Sequence, residues 1–339
     1  MKDILLTVDT EGPRGDDPIK YQIWGYVNGV CYGIPKIIEL CDKYCVRALF
    51  FVDIAEAFDY GYIEIANVIK YIKEKGHDVG VHIHPHHIAG ESRQFLYEYT
   101  KEEQRRIITD CTKIYEEITG ERPISFRAGK YGANRDTLEI LQELGYKYDF
   151  SEFYLNKWCG IKPEVSYVLP QKVGKLIEIP VTIFKSFEIP RIYKRYDKLE
   201  ICESYGEIVN VLRQYLNSNK NGVIVLFLHS FSLLNWIETP NNPRLNKRRL
   251  IVFEKVLRYI STNTEFNRID ENSLSGYEVE QFDSPENIVK TQGCINRLWY
   301  SFLRVYRIRK YNNKAKVLFG IAFLITSVMA LMLAWLFWR

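Results

Sequence analysis

Five of the six histidines in this 339-residue chain, His77, His82, His84, His86 and His87, fall between Gly76 and His87. Imidazole is a common metal ligand, and its crowding at the end of a short Val/Ile alternation points to a cation held where a strand ends. His82 and His86 stand four apart. Pro85 between them rules out a helical pair, so a turn must fold His86 back toward the strand tip, which leaves His77, His84 and His87 surplus. At the N-terminus the apolar run Ile4 to Val8 leads into Asp9 and Glu11, two carboxylates on one side of a strand tip. Two imidazoles and one carboxylate make a facial ligand set with positions open for water, as a hydrolytic metal requires. A polar loop that happens to be rich in histidine is the plainer alternative, and it does not account for the carboxylates upstream.

Strands and helices alternate along the chain to carry these groups. Pro35 to Tyr44 reads as an amphipathic helix with proline near its start, Arg47 to Asp53 as a nearly continuous apolar strand, and Ile63 to Lys75 as a helix closed by Gly76. Past the histidines, Thr100 and Glu103 form a capping box for a helix to Thr119, Ile124 to Gly129 is a strand, and Asn134 caps a helix to Leu144. Tyr146 to Phe150, Leu176 to Phe184 and Gly222 to His229 read as further strands, Tyr205 to Leu216 and Lys247 to Ile260 as helices, and Glu265 to Ile269 as a last strand. Between Glu152 and Leu169 the period is lost, and an excursion over one face is expected. About seven β/α units in this order call for a parallel barrel or an open parallel sheet. The reactive residues all sit at C-terminal strand ends, where such folds gather their chemistry.

A hydrophobic share of 47% suffices for a large core, and the net charge of +4 is too small to imply nucleic acid as a partner. Seven scattered cysteines with no C-x-x-C pair exclude a disulfide framework or zinc ribbon and suit free thiols. No Walker loop, dinucleotide fingerprint or internal repeat is present. Only Met1 and Lys2 precede the first strand, so no secretory signal is expected. Val317 to Trp338 is 22 residues without a charge, long enough as a helix to cross a bilayer once. Before it, Arg297 to Lys316 carries seven basic residues and no acid, which by the positive-inside rule places the preceding domain in the cytoplasm. The expected organisation is a catalytic domain over 1–270, a linker and basic amphipathic segment over 271–316 that suits anionic headgroups, and a single-pass C-terminal anchor over 317–338.

These motifs resemble those of the NodB-type polysaccharide deacetylases, carbohydrate esterase family four. Thr7-Val8-Asp9-Thr10-Glu11-Gly12 is similar to the family's first motif, Gly76 to His86 to its histidine motif, Phe126 to Gly132 to its third and Leu226 to His229 to its fifth, with Tyr148 to Ser151 a loose fourth. The start also looks like that of an uncharacterised branch found with surface-polysaccharide biosynthesis. The resemblance implies an irregular (β/α)7-type parallel barrel of the α/β class. It also implies one divalent cation, Zn2+ first with Co2+ or Mn2+ as alternatives, held by Glu11, His82 and His86. Asp9 then stands as base, Arg127 as the residue that orients it, the backbone N–H of Tyr131 as oxyanion donor and His229 as acid. The implied reaction removes an acyl group, N-acetyl in the first instance, from an acetylated sugar or lipid-linked glycan. Glu11 in place of aspartate and Phe227 in place of leucine depart from the family pattern. Two rival functions remain: an anchored scaffold or glycan-binding protein with a decayed site, and an allantoinase-like hydrolase of small amides.

Overall fold

The computed structural model of the chain describes residues 1–90, 92–154, 156–161, 169–189, 191, 193–218, 222–276, 288–290, 298–303 and 306. They fall in two compact units, one of Met1–Phe184 with Asp197–Val289, the other of Lys185–Tyr196 with residues 290–339. The site lies wholly in the first.

That unit is α/β. Its main strands are β1 (Lys2–Thr10), β2 (Ala48–Asp53), β3 (Asp78–Ile83), β4 (Ser125–Ala128), β5 (Tyr148–Asp149), β6 (Gln171–Val173), β7 (Leu176–Glu178), β8 (Ile224–His229) and β9 (Phe266–Arg268). Between them run α1 (Ile34–Lys43), α2 (Tyr62–Glu74), α3 (Lys101–Thr119), α4 (Arg135–Glu143), α5 (Tyr205–Leu216) and α6 (Lys247–Thr262). The sheet order is β8-β1-β2-β3-β4-β5-β7-β6, with β9 also on β1, and every pairing is parallel except β6 with β7. Among the described residues no regular ladder joins the two ends. Instead the free edge of β8 bonds to an irregular segment, Phe227 N–H to Leu199 O at 3.1 Å and Ile201 N–H to Phe227 O at 3.0 Å, and Leu199 N–H reaches Thr182 O at 3.0 Å. The expected α/β fold is thus found, with an irregular seam where the expected barrel would close.

Side-chain alternation sorts each strand into two rows. Ile4, Leu6 and Val8 of β1 and Ala48, Phe50 and Val52 of β2 pack toward the helices in the larger core cluster. Leu5, Leu49, Phe51 and Val225 point to the other face, where with Phe150 they build a smaller apolar cluster. The inner rows then continue into polar residues: Thr7 and Asp9 after Leu5, Asp53 after Phe51, and His229 two beyond Phe227. An apolar plug therefore closes the bottom of the inner space, and charged groups line its top.

Several expectations shift in detail. The aromatic stretch after Pro18 forms one wide helical turn, Ile19–Ile23, and a small hairpin of Tyr26–Val27 with Val30–Cys31. The strand expected over Leu176 to Phe184 is broken at Pro180, which has no N–H for a ladder; Ile183–Ile189 instead pairs with Tyr193–Lys198 in a separate two-stranded sheet. The excursion after Glu152 is irregular where it is described. The six described cysteines are free. The span expected at 317–338 lies outside the described residues, and among these no helix is long and apolar enough to cross a membrane.

Candidate active site

Strand register assembles the site. Asp9 stands opposite His229 across β1 and β8, Asp53 opposite His82 across β2 and β3, and His82 opposite Arg127 across β3 and β4. Five neighbouring strands thus present reactive groups at nearly one level, around a cavity of about 760 Å³ at their C-terminal ends.

Arg127 is the largest fully buried side chain. Its Nη1 donates to Asp9 Oδ1 at 2.5 Å, Nη2 to Thr7 Oγ1 at 3.1 Å and Nε to the Phe150 carbonyl at 3.3 Å, and its guanidinium carbon lies 4.2 Å from the Phe51 ring centre. A buried charge needs such complete pairing. Burial by itself would raise the Asp9 carboxyl, but the Arg127 guanidinium, with His82 and His229, outweighs it and holds Asp9 below the ordinary range. Asp9 is therefore ionised, one oxygen fixed by Arg127. The structure thus brings together Asp9 and Arg127, two of the residues named from the sequence.

Glu11 follows the end of β1 and is held by its neighbours: Ser230 Oγ donates to the Glu11 carbonyl at 3.1 Å, and Ser230 N–H donates to Asp9 O at 2.8 Å. Glu11 Oε2 lies 3.5 Å from His82 Nε2 and 2.6 Å from His84 Nε2. One ligand atom from each of Glu11, His82 and His84 falls within 4.8 Å of the others. His82 is set up as a ligand, because its Nδ1 bonds the Arg127 carbonyl at 2.8 Å and so leaves Nε2 to face Glu11. Burial would lower the His82 imidazole, yet its hydrogen bond to Glu11 and the charges of Asp9 and Glu11 lift it to about 9. Burial is likewise overridden at Glu11, which His84 and His82 hold well below the usual carboxylate range. An N,N,O set of this kind fits a divalent cation.

The third member differs from the expectation. His84, read as surplus, joins Glu11 and His82, whereas His86 does not belong to the group. Pro85 and His86 start a single helical turn, His86–Ala89, that carries the His86 ring to 5.6 Å from the His84 ring and 4.1 Å from that of His87. His86 still lines the cavity with an unpartnered buried Nδ1; burial, then His87 and His84, push its imidazole down to about 4. The signal for His84 was the strand's own alternation, which puts positions 82 and 84 on one face. Gly129 makes room for it: a Cβ there would stand 2.7 Å from the His84 ring.

His229 faces Glu11, Nε2 to Oε1 at 3.7 Å, with its ring stacked on Phe231 at 4.7 Å. Burial and the Lys198 ammonium lower its imidazole. Lys198, which no sequence pattern singled out, lies over the Phe227 ring at 3.4 Å and 3.4 Å from the Tyr131 hydroxyl. The Phe227 departure thus supplies a π face for a cation at the site. Lys130 and Tyr131 both have left-handed backbones, φ 52° and 61°, a strained conformation in the loop expected to furnish the oxyanion donor. Asp149 belongs elsewhere: it is buried against Ser151, bonded at 2.6 Å, and is not among the groups lining the cavity.

Residues 28–148 match the family model described as polysaccharide deacetylase. The chain is 25% identical over 119 residues to a peptidoglycan deacetylase of Helicobacter pylori, covering 35% of this chain and 36% of that protein. It is 29% identical over 82 residues to a peptidoglycan deacetylase-like protein of Gibberella zeae, covering 24% of this chain and 22% of the relative. The matches thus span between a fifth and two fifths of these curated relatives. A solved structure from Mycobacterium smegmatis, provisionally described as a polysaccharide deacetylase, superposes with a TM-score of 0.52 at 20% identity, over 80% of this chain and 88% of that one.

Proposed function

We propose that this chain, which carries a polysaccharide deacetylase domain, is a metal-dependent hydrolase that removes the N-acetyl group of a sugar in a glycan or glycan precursor. One observation carries the reading: Arg127 clamps Asp9 within a few side chains of a Glu11–His82–His84 ligand group, with His229 facing the same Glu11. In this reading Glu11, His82 and His84 hold the cation, and His86 lines the same cavity. A divalent cation bound there would make water nucleophilic near neutral pH, lowering its pKa from 15.7 to about 7.

The chain's own residues do the rest. Asp9, ionised and with Oδ1 occupied by Arg127, takes the attacking water's proton on Oδ2, a role typically worth about 10²- to 10⁴-fold. Arg127 keeps that carboxylate charged and aimed. The Lys130–Tyr131 loop and the Lys198 ammonium face the place where negative charge develops on the acyl oxygen. His229, stacked on Phe231, gives a proton to the leaving nitrogen. Trp158, Phe153 and Trp236 line the cavity and offer faces for a sugar ring. With Asp9, Arg127 and His229 all in place, a decayed scaffold fits less well.

For location the reading rests on residues 317–338, whose uncharged length suits a spanning helix, and on the basic run before them, which favours a cytoplasm-facing domain. Leu298, Trp299, Phe302 and Tyr306 are exposed, and the rings of Trp299, Phe302 and Tyr306 stack at 5.9 and 6.3 Å, an apolar stripe suited to a lipid interface. A lipid-linked glycan or a nucleotide sugar is then the substrate class within reach. The test is acetate release by the full chain from N-acetylated nucleotide sugars and lipid-linked sugars, with His82→Ala as control. Loss of acetate release together with one bound ion in the variant supports the reading; retained activity in a variant that has lost that ion refutes it.

A further inference from the structure

Beside the group just described lies a second one that the reaction does not use. Asp53, at the end of β2, and Glu56, in the next turn, are buried at 0% and 1% exposure, and His87 sits at the far end of the histidine stretch. One ligand atom of each lies within 4.8 Å of the others. In every case the surroundings bind one end of the side chain and leave the other bare. Asp53 Oδ1 accepts the N–H of Ala55 at 3.1 Å and of His84 at 3.2 Å, and Oδ2 is buried without a partner. Glu56 Oε1 accepts the Gly12 N–H at 2.6 Å, and Oε2 is buried without a partner. His87 Nδ1 bonds Asp59 at 2.5 Å, which turns Nε2 toward Asp53 Oδ2 at 3.8 Å.

Two buried acceptors with no donor would each forfeit a hydrogen bond, and two carboxylates this close repel unless something positive lies between them. A carboxylate on the far nitrogen of an imidazole is the arrangement that orients a metal-binding histidine. We propose that Asp53 Oδ2, Glu56 Oε2 and His87 Nε2 form a second divalent-cation site in the same cavity, suited by its O,O,N donors to Mn2+ or a similar first-row ion. It shares a wall with the first: Asp53 holds the His84 backbone, and Glu56 holds the residue after Glu11. A cation there neutralises the carboxylates that position two of the first site's ligands. The inference does not rest on the deacetylase reading, because none of its three donors has a part in that reaction.

Metal stoichiometry tests it. The full chain, purified in detergent, stripped with chelator and dialysed against Mn2+, is analysed for bound metal by atomic emission, alongside Asp53→Asn, Glu56→Gln and His82→Ala. Circular dichroism checks that each variant is folded, and Asp53→Asn and Glu56→Gln back each other up should one fail to fold. Two ions per wild-type chain, one in Asp53→Asn or Glu56→Gln and one in His82→Ala, support the second site. One ion in the wild type, lost in Asp53→Asn but kept in His82→Ala, also supports it and overturns the first site instead. A wild type holding one ion that neither Asp53→Asn nor Glu56→Gln removes, or holding none, overturns the proposal.

Discussion

Replacing Asp9 and Arg127 singly and together gives the sharpest test of how this site is held. Arg127 has no exposed surface, and three acceptors and the Phe51 face occupy it. Asp9→Asn keeps the shape of the partner and removes its charge, so the guanidinium is left buried without a counter-charge. Breaking a buried pair in this way costs about 3–5 kcal/mol. Arg127→Met removes the other half; Asp9 then has only burial acting on it together with the weaker pull of His82 and His229, and it relieves the cost by taking up a proton. That escape ends its use as a base. The double variant leaves neither charge unpaired, and replacing a whole buried pair with apolar volume is often close to neutral. The single losses should therefore fail to add, with a coupling of about 2–4 kcal/mol.

Urea unfolding of the four proteins, followed by tryptophan fluorescence at neutral pH, reads this directly. The sign with pH is fixed as well. Because Asp9's folded pKa is depressed, the pair's contribution is present above the unfolded aspartate value and disappears as pH falls through the folded one, so the coupling should shrink in acid. Single losses that sum to the double within about 0.5 kcal/mol at neutral pH would refute the claim that this pair is a buried unit.

Three further outcomes follow from the same geometry. Burial lifts Glu152 from 4.5 to about 8 with Asp149 adding to it, so the folded state holds a proton the unfolded chain releases; stability present below about pH 4.5 should fall by about 5 kcal/mol as pH rises through 8, and Glu152→Gln should flatten urea midpoints measured from pH 5 to 9. Gly129→Ala should displace the His84 ring, on which its Cβ would press at 2.7 Å, and weaken metal binding by about 10-fold or more while circular dichroism stays unchanged. Lys198→Met removes the ammonium that, after burial, most lowers His229; if His229 must be protonated to donate, the alkaline limb of the kcat/KM profile should move to higher pH, and an unmoved limb would count against His229 as the acid.

Much of this arrangement is legible in the residues because a parallel strand carries a strict period of two. Leu5, Thr7 and Asp9, like Leu49, Phe51 and Asp53, form single inner rows, so placing the strands already places the carboxylates. Spacing at strand tips is harder. The four-residue separation pairs His82 with His86, but Pro85 opens a helical turn that takes His86 out of the strand, while His84 simply continues the row of His82. Lys198 had no signal at all. It lies at the end of a strand of a separate two-stranded sheet, and only the tertiary seam beside β8 brings it over Phe227.

Taken together, the lining gives the proposed cations their physical rationale. Asp9, Glu11, Asp53 and Glu56 contribute four carboxyl groups to one cavity, with the guanidinium of Arg127 beneath it, the ammonium of Lys198 at its side and the exposed Arg14 and Lys130 also along its lining. Glu56 shows the strain of that crowding, since burial and then the Asp53 charge push its carboxyl well above the usual range. A chain can relieve such crowding by protonating groups, which forfeits a base and raises imidazolium where neutral ligands are needed, or by binding positive ions. The hydrogen bonds decide between these. Arg127 secures Asp9, the Arg127 carbonyl fixes the His82 tautomer, Asp59 orients His87, and backbone N–H groups hold one oxygen each of Asp53 and Glu56. Each support leaves a free donor atom facing the cavity, an arrangement that costs stability in the bare protein and has a physical rationale once divalent cations occupy it.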